Sequence, residues 1–307
     1  MLYVVTVALD NYEYTQRLID AIGKSETQLR VVVIDNGSAD GTVEKLIERY
    51  GQLPVVVLPN VENLGASAAW NMGIRFAMSN GADKILVCGN DTMPLPDAVD
   101  WMAGLLDKGV MFVTGTAIPY DSPIDGSTEG GNLIAAPDFS FFMFKPVVVN
   151  LLGQYDAGVA IQAAAKAEDG VPPAIVMGPW DWGLFDTRYG LGYFEDNDFH
   201  IRAKKLGIPL LRDPGALWRH DVSLTIRTHP EIAQQNEARF KHNAELFAAK
   251  WGGLPQELEV VQARPANVTD EQWKEMCGGH EVVEVDREAA LAQAKAVYAK
   301  YGVEVAA

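Results

Sequence analysis

The sequence has few cysteines, no long uninterrupted apolar run and no cluster of basic residues. Its two cysteines, Cys88 and Cys277, lie far apart and form no metal or redox spacing, so we expect a reducing, cytoplasmic location. The longest apolar stretch, residues 139–152, is interrupted by Lys145 and Pro146, which excludes a membrane-spanning helix there. The apolar run at the amino terminus lacks the basic residues and cleavage site of a signal peptide, and we predict a strand.

The chain is acidic, with a formal net charge of −16. A protein that binds bulk nucleic acid needs a cationic surface, so we do not expect nucleic acid as a partner. A phosphorylated small molecule is compatible with the charge, because a divalent cation can offset that of an acidic site. A hydrophobic content of 48% over 307 residues suffices for one large domain, alone or with a small appendage.

The first 118 residues alternate between short apolar segments and amphipathic segments. The predicted strands are residues 2–9, 29–35, 54–59, 84–89 and 110–118, and the predicted helices are residues 14–22, 40–50, 66–79 and 96–106. Strands that are apolar on both faces and alternate with helices indicate a parallel sheet covered on both sides. In such sheets ligands bind beyond the carboxyl ends of the strands, where Asp10, Asp35, Asn60 and Asp91 are expected.

The second part of the chain is less regular. Residues 119–138 are rich in Pro, Gly, Ser and Asp, which predicts a long lid or substrate loop. Further predictions are a strand at 139–145, helices at 157–170, 193–207 and 230–251, and one or two short strands within 208–221. Residues 254–307 are polar and acidic, and we predict a C-terminal appendage that is helical over 287–301.

Several motifs occur together in the order and spacing of one family. The segments are "VTVALDNYEY", "VVVIDNGSADGT", "NVENLGASAAWNMGIRFA", "GNDTMPLPDA" and "YFEDNDFHIRAKKLG". Over about residues 2–253 the chain resembles family 2 glycosyltransferases. The resemblance implies a GT-A fold, an α/β structure with a Rossmann-like, mostly parallel sheet flanked by helices. It divides a domain of residues 1–253 into a nucleotide-binding half (1–118) and an acceptor and catalytic half (119–253), followed by the helical appendage.

The resemblance also implies the reactants. The donor would be a UDP-, GDP- or dTDP-linked sugar, the cofactor Mn²⁺ or Mg²⁺, and transfer would invert the anomeric carbon. Asp35 would contact the nucleotide base, with Asn11 near the same pocket. Gly65 would let the backbone approach the diphosphate at a helix amino terminus, and Asn71 would face the donor from that helix.

The family's Asp-X-Asp metal motif corresponds to "GND" at residues 89–91. Asp91 matches the last aspartate, and a hard cation that bridges phosphates favours a carboxylate oxygen. Gly89 replaces the first aspartate, and Asn90 is expected to substitute for it in part at the donor. His220, in "HDVSLT", matches a second metal ligand. The alternatives are a simple turn at Asp91 and a structural role for His220.

The segment "FEDND" resembles the family's catalytic Glu-Asp motif. Asp196 would be the general base, and the charges of Glu195 and Asp198 would raise its pKa. The alternative is a group of acids that only stabilises a helix amino terminus. Trp180 and Trp182 are candidates for an acceptor platform, and equally for core packing.

Together these features predict a metal-dependent inverting glycosyltransferase with a glycan, protein or small-molecule acceptor. A sugar-phosphate nucleotidyltransferase shares a similar sheet, but it requires a Gly- and Arg/Lys-rich loop after the first strand, and "ALDNYEYTQ" is not one. A catalytically silent nucleotide-sugar- or glycan-binding module remains the alternative, favoured by Gly89 alone. Residues 254–307 are a candidate surface for homo-oligomerisation or acceptor docking.

Overall fold

A computed structural model describes residues 1–52, 54–119, 139–152, 184–190, 192–221 and 227–258, together with residues 269 and 271. The strands are β1 (Leu2–Ala8), β2 (Leu29–Asp35), β3 (Val55–Pro59), β4 (Lys84–Gly89), β5 (Thr92–Pro94), β6 (Phe112–Pro119), β7 (Phe141–Phe144) and β8 (Leu211–His220). The helices are α1 (Tyr12–Ile22), α2 (Thr42–Tyr50), α3 (Ala66–Ser79), α4 (Ala98–Asp107), α5 (Glu195–Lys205) and α6 (Pro230–Trp251).

The strands form one eight-stranded sheet in the order β3-β2-β1-β4-β7-β6-β8-β5. The first four strands in this order run parallel, β7 is antiparallel to both of its neighbours, and β5 is antiparallel to β8. Central strands β1, β2 and β4 are apolar on both faces because helices cover both faces. The predicted α/β class with a mostly parallel half is confirmed.

Helix α3 lies close against the centre of the sheet. Its contact is made possible by Gly73, where a Cβ atom would be only 2.3 Å from Val5 Cγ1 and 3.3 Å from Ile34 Cγ1. The observed bounds of α3 and of α6 are those predicted from the sequence. This close packing holds the amino terminus of α3 at the carboxyl edge of β1 and β2.

Strand β5 was not predicted, since the sequence indicates only a helix at 96–106 after the strand at 84–89. The structure instead pairs Pro94 with Trp218 at the end of β5, and α4 begins only at Ala98. A proline is tolerated there because β5 is the edge strand of the sheet. Its partner β8 is a single strand of ten residues, where one or two short strands were expected.

A buried carboxylate in α5 pairs within its own helix and also contacts α6. Arg202 Nε lies 2.7 Å from Asp198 Oδ2, and both side chains are fully buried. Asp198 Oδ1 also accepts from Trp251 Nε1 at 2.9 Å and lies 2.7 Å from Lys250 Nζ. Because several donors surround one carboxylate, the amino-terminal turn of α5 has a defined position.

Several predictions lie outside the described residues. They concern the loop 120–138, the helix 157–170, both tryptophans of the acceptor prediction and nearly all of the appendage after residue 258. The division into domains therefore stays a prediction. Among the helices that the structure describes, none has the length and apolar character needed to cross a membrane.

Candidate active site

The carboxyl ends of β1, β2 and β4 meet at one edge of the sheet. In the register of the strands, Ala8 is opposite Asp35, and Val7 is opposite Gly89. The loops that follow these strands therefore lie side by side. They carry most of the residues that the sequence predicted for donor and metal binding.

Asp35 is the most buried acid at this edge, with 1% of its surface exposed. Its Oδ2 atom accepts from the backbone N–H groups of Gly37 at 3.3 Å and Ser38 at 3.1 Å. Its Oδ1 atom is buried and has no partner among the residues that the structure describes. A buried carboxylate oxygen is stabilised by a donor, so this atom is available to an N–H group of a ligand.

A group of asparagines shapes the loop before α3. Asn36 Nδ2 donates to Asn63 Oδ1 at 2.7 Å, and Asn60 Nδ2 donates to Asn36 Oδ1 at 3.2 Å. Asn63 Oδ1 also accepts from the N–H of Gly65 at 2.9 Å. Gly65 has φ 84° and ψ 162°, a conformation that is essentially restricted to glycine. Asn36 and Asn63 were not predicted as site residues, although the density of asparagines in these two loops is a visible signal.

Asn71 is fully buried in α3 and contacts the backbone that precedes α5. Its Nδ2 donates to the Phe185 carbonyl at 2.7 Å, and its Oδ1 accepts from the Phe185 N–H at 3.1 Å. Both polar groups of the amide thus link α3 to the segment before α5, and the predicted contact with the donor stays a prediction. Asn90 is likewise mostly buried, and its Nδ2 donates to Thr15 Oγ1 of α1 at 3.2 Å.

Asp91 and His220 are distant in sequence but adjacent in the structure. Asp91 Oδ2 lies 3.5 Å from His220 Nε2, and both side chains are partly exposed. The antiparallel pairing of β5 with β8 brings them together, since Thr92 is the partner of His220 and the N–H of Asp221 donates to the Asp91 carbonyl at 3.0 Å. The two predicted metal ligands therefore face one another.

Gly89 has a steric role beside this pair. A Cβ atom at position 89 would lie 2.5 Å from Asp91 Oδ1. The Asp91 carboxylate therefore turns back into the space that a side chain at position 89 would occupy. The departure from the Asp-X-Asp pattern thus has a local reason in this chain.

Asp91 and His220 fit a cation that takes its other ligands from substrate. Across the described ranges, no group of three or more His, Cys, Asp or Glu side chains is arranged to hold a metal alone. A carboxylate suits Mn²⁺ or Mg²⁺, which bind through one or two protein ligands, phosphate oxygens and water, and an imidazole can add a nitrogen ligand.

Glu195 and Asp196 begin α5 after two residues in the left-handed region, Tyr193 at φ 70° and Phe194 at φ 74°. Glu195 is 9% exposed, and its Oε2 finds no partner within the described part of the chain. Burial, together with the charge of Asp196, raises the pKa of Glu195 to about 8. Asp196 Oδ1 accepts from the N–H of Asn197 at 2.7 Å. The raised pKa therefore belongs to Glu195, whereas the predicted rise at Asp196 stays a prediction.

Asn11 and Asp221 border the site from two sides. Asn11 has φ 57°, precedes α1, and donates through Nδ2 to Thr228 Oγ1 at 3.2 Å. Asp221 accepts from Tyr14 Oη at 2.7 Å and pairs with Arg227. Asp221 was not predicted as a site residue, although it directly follows His220. Trp180 and Trp182, the predicted acceptor residues, lie outside the described residues.

The fold and the arrangement of these side chains define the class of the protein. A twisted, mostly parallel sheet with acids beyond three strand ends, and a carboxylate–histidine pair at an antiparallel extension, is a GT-A type α/β protein. Glycosyl transferase family 2 matches residues 3–162, which is more than half of the chain. The chain belongs to glycosyl transferase family 2.

Solved structures share the fold at low identity. TarS 1-349 from S. aureus has a TM-score of 0.53 and 13% identity over 84% of this chain and 66% of that structure. The same fragment in complex with UDP gives a TM-score of 0.52, with 12% identity over 84% of this chain and 67% of that one. The mannosyltransferase PcManGT from Pyrobaculum calidifontis, in complex with GDP-Man and Mn²⁺, gives 0.51, with 17% identity over 98% of this chain and 81% of that one.

The chain spans only 40% of a longer TarS structure. At these identities the likeness concerns the fold alone. A comparison with curated proteins finds no match.

Proposed function

We propose that this protein is an inverting glycosyltransferase that moves a sugar from a nucleotide-sugar donor to an acceptor hydroxyl. The observation that carries the proposal is the combination, at one sheet edge of a family 2 chain, of the buried unpartnered oxygen of Asp35 with the Asp91–His220 pair. The first suits a nucleobase N–H group, and the second suits the cation of a diphosphate.

The donor lies between these two points in our proposal. Asp35 Oδ1 accepts from the base, Asn11 borders the same pocket, and Gly65 allows the backbone at the start of α3 to approach the diphosphate. TarS has been crystallised with UDP and the Pyrobaculum mannosyltransferase with GDP-Man and Mn²⁺, which supports UDP- and GDP-sugars as candidates beside dTDP-sugars. Because the formal charge of the chain is −16, a divalent cation would offset its repulsion of an anionic donor.

Asp91 and His220 would hold Mn²⁺ or Mg²⁺ against the diphosphate, with Asn90 in the same turn. The ion would supply neutralisation of the charge that develops on the leaving diphosphate. His220 must be unprotonated at Nε2 to act as a ligand, and that atom faces the Asp91 carboxylate at 3.5 Å.

Transfer is a single displacement in this proposal. The acceptor oxygen attacks the anomeric carbon, and the bond from that carbon to the diphosphate oxygen breaks with its electron pair on the diphosphate. Asp196 takes the hydroxyl proton, and the attack from the opposite face inverts the centre. Because burial raises the pKa of Glu195 to about 8, Glu195 stays protonated at neutral pH. Asp196 then carries the charge of the pair and acts as the base.

The acceptor is a glycan, a protein or a small molecule, with Trp180 and Trp182 proposed as its platform. We also propose a cytoplasmic location, and an appendage at 254–307 that mediates homo-oligomerisation or acceptor docking. Removing residues 259–307 should then change the number of subunits per particle, calculated from the mass in solution, or the use of acceptors.

The second candidate is a catalytically silent nucleotide-sugar- or glycan-binding module of the same fold. Gly89 is the observation that favours it, since the first acid of the metal motif is absent. Turnover separates the two functions, whereas binding alone does not.

Nucleotide release tests the proposal. UDP-, GDP- and dTDP-sugars are incubated with the protein and Mn²⁺, with and without EDTA and candidate acceptors. The proposal predicts release from one donor class that EDTA abolishes, and a product whose anomeric configuration by NMR is opposite to that of the donor. Donor binding without any release would favour the silent module.

A further inference from the structure

The loop after β1 has an unusual backbone at two consecutive positions. Asp10 has φ 51° and Asn11 has φ 57°, and neither is glycine. Residues with side chains keep this left-handed conformation where surrounding contacts hold them. The contacts of Asp10 therefore matter more than its position in the sequence suggests.

On one side, Asp10 holds the loop that follows β2. Its N–H donates to Ser38 Oγ at 2.7 Å, and its Oδ1 accepts from the N–H groups of Ala39 at 2.7 Å and Asp40 at 3.2 Å. The N–H of Ser38 donates in turn to Asp35 Oδ2 at 3.1 Å. The carboxylates of Asp10 and Asp35 thus hold one short loop from two sides.

On the other side, Asp10 contacts the residue that precedes α6. Its Oδ2 lies 2.8 Å from His229 Nε2, and both side chains are partly exposed. His229 Nδ1 lies 2.9 Å from Thr228 Oγ1, which also accepts from Asn11. Burial alone would raise the pKa of Asp10, but hydrogen bonds from His229 and from the Ala39 and Asp40 amides lower it. Asp10 is therefore an anion with donors on both sides.

We propose that Asp10 is a positioning residue for donor binding: its carboxylate fixes the loop around Asp35 and joins it to His229 at the start of α6. This inference rests on the proposed function. Asp10 is not assigned a contact with the donor. It acts through Asp35, whose unpartnered oxygen has a defined direction only while the loop is held.

The affinity for nucleotide measures this role. In Asp10→Ala, the dissociation constant of UDP or GDP with Mn²⁺ should rise about tenfold, equivalent to about 1.4 kcal/mol. Asp10→Asn should recover most of the affinity, because an amide oxygen still accepts from Ala39 and Asp40. His229→Ala removes only the contact of His229 with Asp10, so a smaller rise in the dissociation constant is expected. The double variant Asp10→Ala/His229→Ala should bind nucleotide no more weakly than Asp10→Ala alone.

Asp20→Ala is the matched control. Asp20 lies in the last turns of α1, far from the strand-end site, and it pairs with Arg49 at 3.0 Å and with Tyr50 at 2.7 Å. Its loss also removes an ion pair and hydrogen bonds, so it should change the melting temperature and leave nucleotide affinity unchanged. Hydrogen exchange at the amides of Ala39 and Asp40 should speed up in Asp10→Ala only.

The outcomes separate the two levels. If the wild type binds nucleotide and Asp10→Ala binds it as tightly, the positioning role is overturned and the proposed function stays intact. The same holds if Asp20→Ala weakens the nucleotide affinity as much as Asp10→Ala does. Unchanged exchange at Ala39 and Asp40 in Asp10→Ala would also overturn it. A wild type that binds none of the nucleotides would overturn the proposed function and this inference with it.

Discussion

Gly89 and Asp91 share one small volume at the end of β4. A Cβ atom at position 89 would lie 2.5 Å from Asp91 Oδ1, and Asp91 is the flexible partner in that contact. A side chain at position 89 therefore moves the carboxylate and leaves the fold intact. This relation makes the glycine a part of the proposed metal site.

We therefore predict that Gly89→Ala and Gly89→Asp both weaken metal binding. Calorimetric titration of Mn²⁺ in the presence of UDP or GDP should show an affinity about tenfold lower. This is the lower end of the range of about 10–100-fold that is typical when the surroundings of a metal ligand are disturbed. Gly104→Ala is the control, since a Cβ atom at that position meets no atom within 4 Å. Tighter binding in Gly89→Asp would mean that the added carboxylate is a ligand and that this steric account is wrong.

Glu195 gives a prediction on pH. Its pKa is raised from an ordinary value of 4.5 to about 8, first by burial and then by the charge of Asp196. The folded state therefore holds a proton that the unfolded state releases between these values. The resulting stability is fully present below pH 4.5 and is lost as the pH rises through 8.

Glu195→Gln cannot release this proton. The free energy of unfolding of the variant, relative to wild type, should therefore increase between pH 5 and pH 8.5, by an amount on the order of a few kcal/mol. Urea unfolding at several pH values measures it. Glu237→Gln, on the exposed face of α6, should show no such trend, and parallel curves for wild type and Glu195→Gln would contradict the burial argument.

At the scale of the elements, regular periodic segments were predictable and contact-dependent ones were not. Helix α3 shows its full length in sequence because a long apolar pattern precedes a clear end at Asn80. Strand β5 is only three residues long and owes its existence to the register with β8. No local sequence pattern indicates that register, so the sequence does not predict this strand.

The two helical glycines Gly73 and Gly104 predict opposite effects of one substitution. Gly73→Ala places a Cβ atom 2.3 Å from Val5 Cγ1. We therefore expect the free energy of unfolding to fall by about 1–3 kcal/mol as α3 moves away from the sheet. Gly104→Ala meets open space in α4 and should gain about 0.5–1 kcal/mol from helix propensity. Denaturant unfolding of both variants tests the packing of α3, and equal stability would contradict it.

At the scale of the whole molecule, the site combines loops that are far apart in the chain. That acids at the ends of β1, β2 and β4 would share one edge was predictable, because parallel strands end together. The pairing of Asp91 with His220 and that of Asp10 with His229 depend on where β8 and α6 return to this edge. The family resemblance indicated that Asp91 and His220 act together, whereas no sequence pattern indicated the contact of Asp10 with His229.

The most direct test of the account is the rate of Mn²⁺-dependent nucleotide release by wild type, Asp91→Ala and Asp83→Ala. Asp83 is an exposed acid paired with the amino terminus and serves as the control. We predict that Asp91→Ala lowers the rate about 100-fold or more, equivalent to about 2.7 kcal/mol, while Asp83→Ala matches the wild type. Equal rates in Asp91→Ala and wild type, or release that persists in EDTA, would contradict a metal-dependent transfer at this site.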